Sequence, residues 1–168
     1  DQRILENQRH QKVDLVRWIF ERIHLAPGSK VLELCSGTGN QTLKMIEMVG
    51  EDGFVVATDI SEKALNQLRS KANQKGQLPF STVTAPMHDL PEALEESGLA
   101  DHRFNLVFCA YGLYYSENPV QVLENCVEWL EDDGRIVIAG PFGPNNDTLF
   151  RILEGSGVKI SDYIKYTS

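Results

Sequence analysis

The chain has 168 residues, of which 24 are acidic and 16 basic, for a formal net charge of −8. That size suits one domain, and 42% hydrophobic with 24% charged residues is ordinary for a globular protein. The acidic balance repels phosphate backbones, so nucleic acid is not an expected partner, and no apolar run reaches the ~18 residues of a membrane span.

A first helix is predicted over residues 7–25, because Val13, Val16, Phe20 and Ile23 recur at intervals of three and four before Pro27-Gly28 stops the pattern. It is expected to cover one face of a sheet. Its basic residues Arg3, Arg9, Lys12, Arg17 and Arg22 are spread among acids and glutamines, which describes a solvated face. Strands and helices then alternate. Strands are predicted at 30–35, 54–58, 79–85, 103–109 and 135–139, and helices at 41–49, 62–75, 91–97 and 119–130. Ser61 is the expected cap of the helix at 62–75, whose inner face is Ala64, Leu65, Leu68 and Ala72. In the helix at 119–130, Asn118 precedes Pro119, and Leu123, Cys126, Val127 and Leu130 are expected to face inward. Gly134 is expected to end a tight turn into the strand at 135–139. A final helix at 147–154 and a strand at 158–164 close the series.

This alternation implies right-handed crossovers and a doubly wound α/β fold, a mostly parallel sheet with helices on both faces. The strands are nearly continuous apolar runs, as burial on two sides demands. No repeat, low-complexity tract or linker interrupts them, so residues 1–168 are read as a single domain.

The segment Glu33-Leu34-Cys35-Ser36-Gly37-Thr38-Gly39 joins the first strand to the next helix through a glycine-rich turn. In a doubly wound sheet such a turn lies at the carboxyl end of a central strand, where the chain order reverses and a crevice opens. Asp59 closes the second strand 22 positions after Gly37, near the spacing of about 20 at which a carboxylate reaches a bound ribose. A dinucleotide fingerprint would place a third glycine at position 42, where the chain has Thr42. A cofactor without phosphates has no need of that glycine, because no pyrophosphate must approach the helix terminus. The cysteines Cys35, Cys109 and Cys126 are odd in number and have no CxxC spacing. They are read as free thiols in a reducing cytoplasm, with no zinc site or other metal expected. The mixed polar start, Asp1 to Glu6, agrees with a cytoplasmic location.

Val31-Leu32-Glu33-Leu34 with Gly37 and Gly39, followed by Ala57-Thr58-Asp59-Ile60-Ser61, resembles the class I S-adenosylmethionine-dependent methyltransferases. The resemblance runs from about Val31 to Ile164. It implies a three-layer Rossmann-like fold with strand order 3-2-1-4-5, a sixth strand near the carboxyl end, and the usual seventh strand missing. The edge so left is expected to take a second copy or a partner chain. It also implies S-adenosylmethionine as cofactor and methyl transfer to a small-molecule acceptor, giving S-adenosylhomocysteine. In the family an acid in the first strand orients the turn, and the turn packs on the methionine portion. Glu33 fills the acidic place, Cys35 stands where the first glycine is usual, and Ser36, Gly37 and Gly39 complete the turn. A cysteine is expected to be tolerated there with a negative φ. Asp59 would take the ribose hydroxyls and Ile60 would press on the adenine.

The segment from Ala85 to Pro91 matches the family's adenine loop, but Pro86 occupies its acidic place, so adenine recognition falls to the amides of Met87 or His88. After the fourth strand, the backbone of Cys109, Ala110 and Tyr111 would touch the methionine portion. Tyr114 matches a position beside the substrate, where an aromatic ring attracts the sulfonium. Tyr115 is expected to pack over the sheet end. Tyr114 and His88 are the candidate catalytic residues; for His88 the competing reading is a histidine at the adenine rim. Two alternatives remain at this level. One is an S-adenosylmethionine-binding module without turnover, in line with Pro86 and the missing strand. The other is a nicotinamide-dependent oxidoreductase, opposed by Thr42 and by the lack of a Tyr-x-x-x-Lys pair after the fourth strand.

Overall fold

The computed structural model describes residues 14–76, 79–140, 151, 152, 154 and 155. Helix α1 (Leu15–Phe20) precedes β1 (Lys30–Leu34), α2 (Asn40–Val49), β2 (Phe54–Asp59), α3 (Glu62–Asn73) and β3 (Phe80–Thr84). A 3₁₀ turn at Met87–Asp89 leads into α4 (Leu90–Glu96), then β4 (Phe104–Ala110), a second 3₁₀ turn at Leu113–Tyr115, α5 (Pro119–Glu128) and β5 (Leu130–Ala139). The five strands form one sheet in the order β3-β2-β1-β4-β5, every neighbouring pair parallel.

Alternation along the central strands builds the three layers, since successive side chains of a strand point to opposite faces. Leu32 and Leu34 of β1, with Val56 and Val107, pack against Leu90 and Leu94 of α4 and Val122, Cys126 and Trp129. Val31, Val55, Leu106 and Phe108 point to the other face, onto Ile19 and Phe20 of α1 and Met45, Ile46 and Val49 of α2. Ala57 meets Leu65 and Leu68 of α3. Each fully buried large side chain stabilises the fold by roughly 1.5–3 kcal/mol over its exposed state.

Local chemistry sets the boundaries. Ser61 caps α3 by accepting from the Ala64 amide at 3.3 Å, and Asn118 caps α5 by accepting from Gln121 at 3.2 Å, with Pro119 at the first helical position. Of the helix predicted over 7–25, residues 7–13 lie outside the described residues, and the described helix ends at Phe20. It begins at Leu15, where the Asp14 carboxylate accepts from the Arg17 amide at 3.1 Å, and its last turn tightens as the Arg22 amide bonds to Ile19 at 3.0 Å. The chain then leaves the helix ahead of Pro27, whose ring disfavours helical backbone at Ala26. Residues 1–13 lie outside the described residues.

Helix α5 is rotated from its predicted phase. Val122, Cys126 and Trp129 are buried and Val127 is 57% exposed, because the bulky indole takes the inward place. Leu130 already belongs to β5 and pairs with Phe104, whereas the next paired residues are Leu106 and Arg135, so residues 131–134 bulge out of register. Gly134 is needed in that bulge: a β-carbon there would stand 2.7 Å from the Phe104 carbonyl oxygen. Of the predicted helix at 147–154, Arg151, Ile152 and Glu154 are helical. The rest of that helix and the strand at 158–164 lie outside the described residues. Among the described residues no helix is long and apolar enough to cross a membrane.

Candidate functional site

The sheet order places β1 and β4 side by side at its centre, with chain connections leaving them to opposite sides, which is where an open α/β sheet leaves a crevice at its carboxyl edge. Among the described residues, two that are not glycine have positive φ, Cys35 at +56° and Tyr111 at +57°, and each immediately follows one of these two strands. Left-handed backbone at such residues costs on the order of 1–3 kcal/mol and gathers at functional sites. The negative φ expected for Cys35 is therefore corrected. The chain must turn sharply enough at Cys35 for the Ser36 amide to reach the Thr58 carbonyl of β2 at 2.9 Å, and the left-handed conformation provides that turn.

Beyond Cys35, Gly37 and Gly39 take φ of +54° and +84°. Gly39 is held closely: an added β-carbon would stand 2.2 Å from Cδ1 of the buried Leu68. Three side chains fix the turn from outside. The Asp59 carboxylate accepts from the Gly37 amide at 2.8 Å with one oxygen and from the Ser61 amide at 2.8 Å with the other, tying the turn to the start of α3. Lys71 donates to the Thr38 carbonyl at 2.8 Å. Glu33 is buried in β1 and accepts from the Thr42 hydroxyl of α2, while Thr58 donates to the Glu33 carbonyl at 3.0 Å. Burial pushes the Glu33 carboxyl up to about 8, against the opposing hydrogen bond from Thr42 and with smaller upward contributions from Cys35 and Asp59. Ser36 is buried, and its Oγ has no hydrogen-bond partner among the described residues. A buried hydroxyl costs about 1–3 kcal/mol unless something bonds to it.

The β4 side of the crevice carries the tyrosines. Tyr111 continues the sheet, its amide donating to the Ala139 carbonyl at 2.7 Å. Tyr114 is 45% exposed and its ring centroid lies 4.6 Å from that of Tyr115, which is 67% exposed. The expected packing of Tyr115 over the sheet end is therefore absent: the 3₁₀ turn at Leu113–Tyr115 turns Leu113 towards the core and leaves both rings outside. Gly112 lies against Cys35, where a β-carbon would meet Cβ of Cys35 at 2.4 Å. The Cys35 and Cys109 thiols lie together against Gly112, and their interaction raises the pKa of the first and lowers that of the second.

Ile60 projects from the end of β2 with 71% of its surface exposed. Met87 is half-buried against the core, and His88 beside it is solvated, with Nε2 3.5 Å from Oδ1 of Asp89. Glu33, Cys35, Ser36, Gly37, Gly39, Asp59, Cys109, Ala110 and Tyr111 thus gather at one sheet end, while Tyr114 and His88 stand at its rim. Sequence reasoning did not single out Lys71, Gly112 or the bond between Thr42 and Glu33. The signal for Thr42 was a polar residue in the buried stripe it shares with Met45, Ile46 and Val49. Among the described residues no group of His, Cys, Asp and Glu is arranged to hold a metal ion.

Residues 25–155 match the family described as a methyltransferase domain. The ubiquinone/menaquinone biosynthesis C-methyltransferase UbiE of Shewanella sediminis is 26% identical over 144 residues, covering 86% of this chain and 55% of that protein. The chain spans about half the length of the curated relatives it matches. Among solved structures, a SAM-dependent methyltransferase from Aquifex aeolicus superposes with a TM-score of 0.60 at 21% identity, over 88% of this chain and 81% of that one. CrArsM, an arsenic(III) S-adenosylmethionine methyltransferase from Chlamydomonas reinhardtii, superposes with a TM-score of 0.63 at 19% identity, over 86% of this chain and 56% of that one. At these identities the structural likeness is one of fold. With the family match extending over most of its length, the chain belongs to the methyltransferase domain family.

Proposed function

We propose that this chain binds S-adenosylmethionine and transfers its methyl group to a small-molecule acceptor. The observation that carries the reading is the Asp59 carboxylate, bonded to the Gly37 amide beside the Ser36 hydroxyl, which has no partner among the described residues, at the switch point of the sheet. Each Asp59 oxygen accepts one amide and keeps a lone pair, so the carboxylate can take both ribose hydroxyls without releasing the turn. Ser36 Oγ gains in the bound cofactor the partner that the described residues do not give it. Gly37 and Gly39 let backbone approach the methionine portion, joined by the backbone of Cys35, Cys109, Ala110 and Tyr111. Ile60 offers its exposed side chain to the adenine, and the amides of Met87 and His88 read the ring, since Pro86 has no side-chain acceptor. The neutral Glu33 acid beneath the turn keeps a fixed negative charge out of the sheet interior and positions α2 through Thr42.

When bound, S-adenosylmethionine supplies an electrophilic methyl on a sulfonium, open to in-line attack. Methyl transfer asks the protein mainly for position, about 3–3.5 Å between nucleophile and methyl, and for removal of a proton. Tyr114 lies on the acceptor side, where its ring face can meet the sulfonium cation, and His88 has the solvated imidazole to take a proton at the rim. The small-molecule acceptor is supported by the relatives named for ubiquinone/menaquinone biosynthesis and by the net charge of −8, which disfavours nucleic acid.

Calorimetric titration with S-adenosylmethionine and, separately, with reduced nicotinamide adenine dinucleotide tests the reading. Saturable heat with the first and none with the second is expected; the reverse pattern, or no binding of the sulfonium, overturns it. Binding without S-adenosylhomocysteine formation across a panel of small acceptors would favour a module without turnover, the reading that Pro86 supports.

A further inference from the structure

Three sulfur atoms from three different elements meet where β1 and β4 end. Cys35 Sγ lies 3.7 Å from Met87 Sδ, and the Cys35 and Cys109 thiols both lie against Gly112. Gly112 closes the cluster: a β-carbon on it would stand 2.6 Å from Cys35 Sγ and 3.2 Å from Cys109 Sγ, so both thiols approach one point that the missing side chain leaves free. The cluster is also preorganised. Cys109 is fixed in β4 opposite Leu34, Cys35 is held by its left-handed backbone, and Met87 by the 3₁₀ turn that opens α4. Cys35 and Met87 are half-buried, so the cluster is reached from one side and sheltered on the other.

We propose that Cys35, Cys109 and Met87 form a three-sulfur site for a soft, singly charged metal ion of the copper(I) or silver(I) kind. Two thiolates and a thioether are the ligands that select such ions over oxygen-seeking ones. With metal–sulfur bonds near the ~2.3 Å known for zinc thiolates, three sulfurs around one ion sit about 4 Å apart, so the observed 3.7 Å needs only a small adjustment. A tetrahedral ion is poorly served, because among the described residues no third His, Cys, Asp or Glu completes a set with the two thiols. Binding exchanges two thiol protons, released to solvent, for one monovalent cation, and the cluster passes from neutral to a single negative charge. The site stands on sulfur geometry alone and does not depend on the methyl-transfer reading.

The test is titration of silver(I), and of copper(I) delivered from a competing chelator, into the full chain under reducing, oxygen-free conditions. Thiolate-to-metal absorbance in the ultraviolet and metal retained after gel filtration are the readouts. One tight equivalent is expected in the wild type and in Cys126→Ser, at least tenfold weaker binding in Met87→Leu, and loss of that equivalent in Cys35→Ser and Cys109→Ser. Circular dichroism shows whether the variants fold. Should Cys109→Ser fail to, X-ray absorption on the copper-loaded wild type decides, with a shell of sulfur neighbours expected. The proposal is overturned if the wild type takes up no metal, if the tight equivalent survives in folded Cys35→Ser or Cys109→Ser, or if the shell is mainly nitrogen and oxygen.

Discussion

Replacing Glu33 by glutamine isolates a carboxyl group that the fold buries under the glycine turn. Burial lifts this acid from an ordinary 4.5 to about 8, and the groups facing it are the Thr42 hydroxyl, the Cys35 thiol and the Asp59 carboxylate. The unfolded chain releases the proton near pH 4.5, while the folded chain keeps it until about 8. Between those limits the folded state holds the extra proton, so its stability falls as pH rises, by about 1.36 kcal/mol per pH unit. Below the lower limit the loss is absent, and above the upper limit it is complete and constant. From pH 5 to pH 8 it amounts to roughly 3–4 kcal/mol, a large share of the 5–15 kcal/mol that holds a typical domain together. Glutamine has no proton to lose, yet keeps a carbonyl oxygen for Thr42. Urea unfolding of both proteins at pH 5, 6, 7 and 8 checks the reasoning. The wild type should lose about 3–4 kcal/mol relative to Glu33→Gln across that range. Parallel stability curves would refute a neutral buried acid at this position.

Two further changes probe the turn itself. Asp59→Asn turns one of the two oxygens that accept from the Gly37 and Ser61 amides into a donor facing a donor. It should weaken S-adenosylmethionine binding by about 1.5–3 kcal/mol, or roughly 10- to 150-fold in Kd by calorimetry; an unchanged Kd counts against the ribose assignment. Gly112→Ala sets a β-carbon 2.4 Å from that of Cys35 and should destabilise the fold by about 1–3 kcal/mol. Adding Cys35→Gly removes the clash together with the left-handed strain, so the double variant should recover most of the loss in urea unfolding, whereas additive effects would argue against the contact.

The sheet was legible in the sequence because its central strands are buried on both faces. Leu32 and Val31 point to opposite layers, and both have zero exposed surface; such a segment must be apolar throughout, and it shows as a run. Helix phase was harder. Helix α5 and its exit carry apolar residues at Val120, Val122, Leu123, Cys126, Val127, Trp129 and Leu130, more than one stripe can bury, and tertiary packing of the indole chose among them. The first strand of the site was read correctly to Leu34 but not the hand of Cys35. Composition reports that a residue is small, whereas the sign of φ depends on where the next amide must go. Thr42 was noticed for the glycine it replaces, while its bond to Glu33 could be seen only once β1 and α2 were side by side.

The spacing between Gly37 and Asp59 was legible for a mechanical reason. One crossover, made of α2 and the rise of β2, brings the chain back one strand over in a parallel pair, at the same height as the turn it left. Whatever closes β2 at that height faces the turn, and a carboxylate there finds the Gly37 amide at 2.8 Å. The same crossover starts α3 beside it, so the Ser61 amide takes the other oxygen at 2.8 Å. The turn is therefore fixed by a charge that a cofactor can also use, which is cheaper than building a second anchor. The left-handed strain at Cys35 and Tyr111 is borne by the central strands they terminate, whose register of Leu34 with Cys109 holds both exits in place. A crevice framed in this way has its shape before any ligand arrives, and under the proposed function that preorganisation is what lets the Asp59 carboxylate bind selectively, together with the Ser36 hydroxyl that has no partner among the described residues.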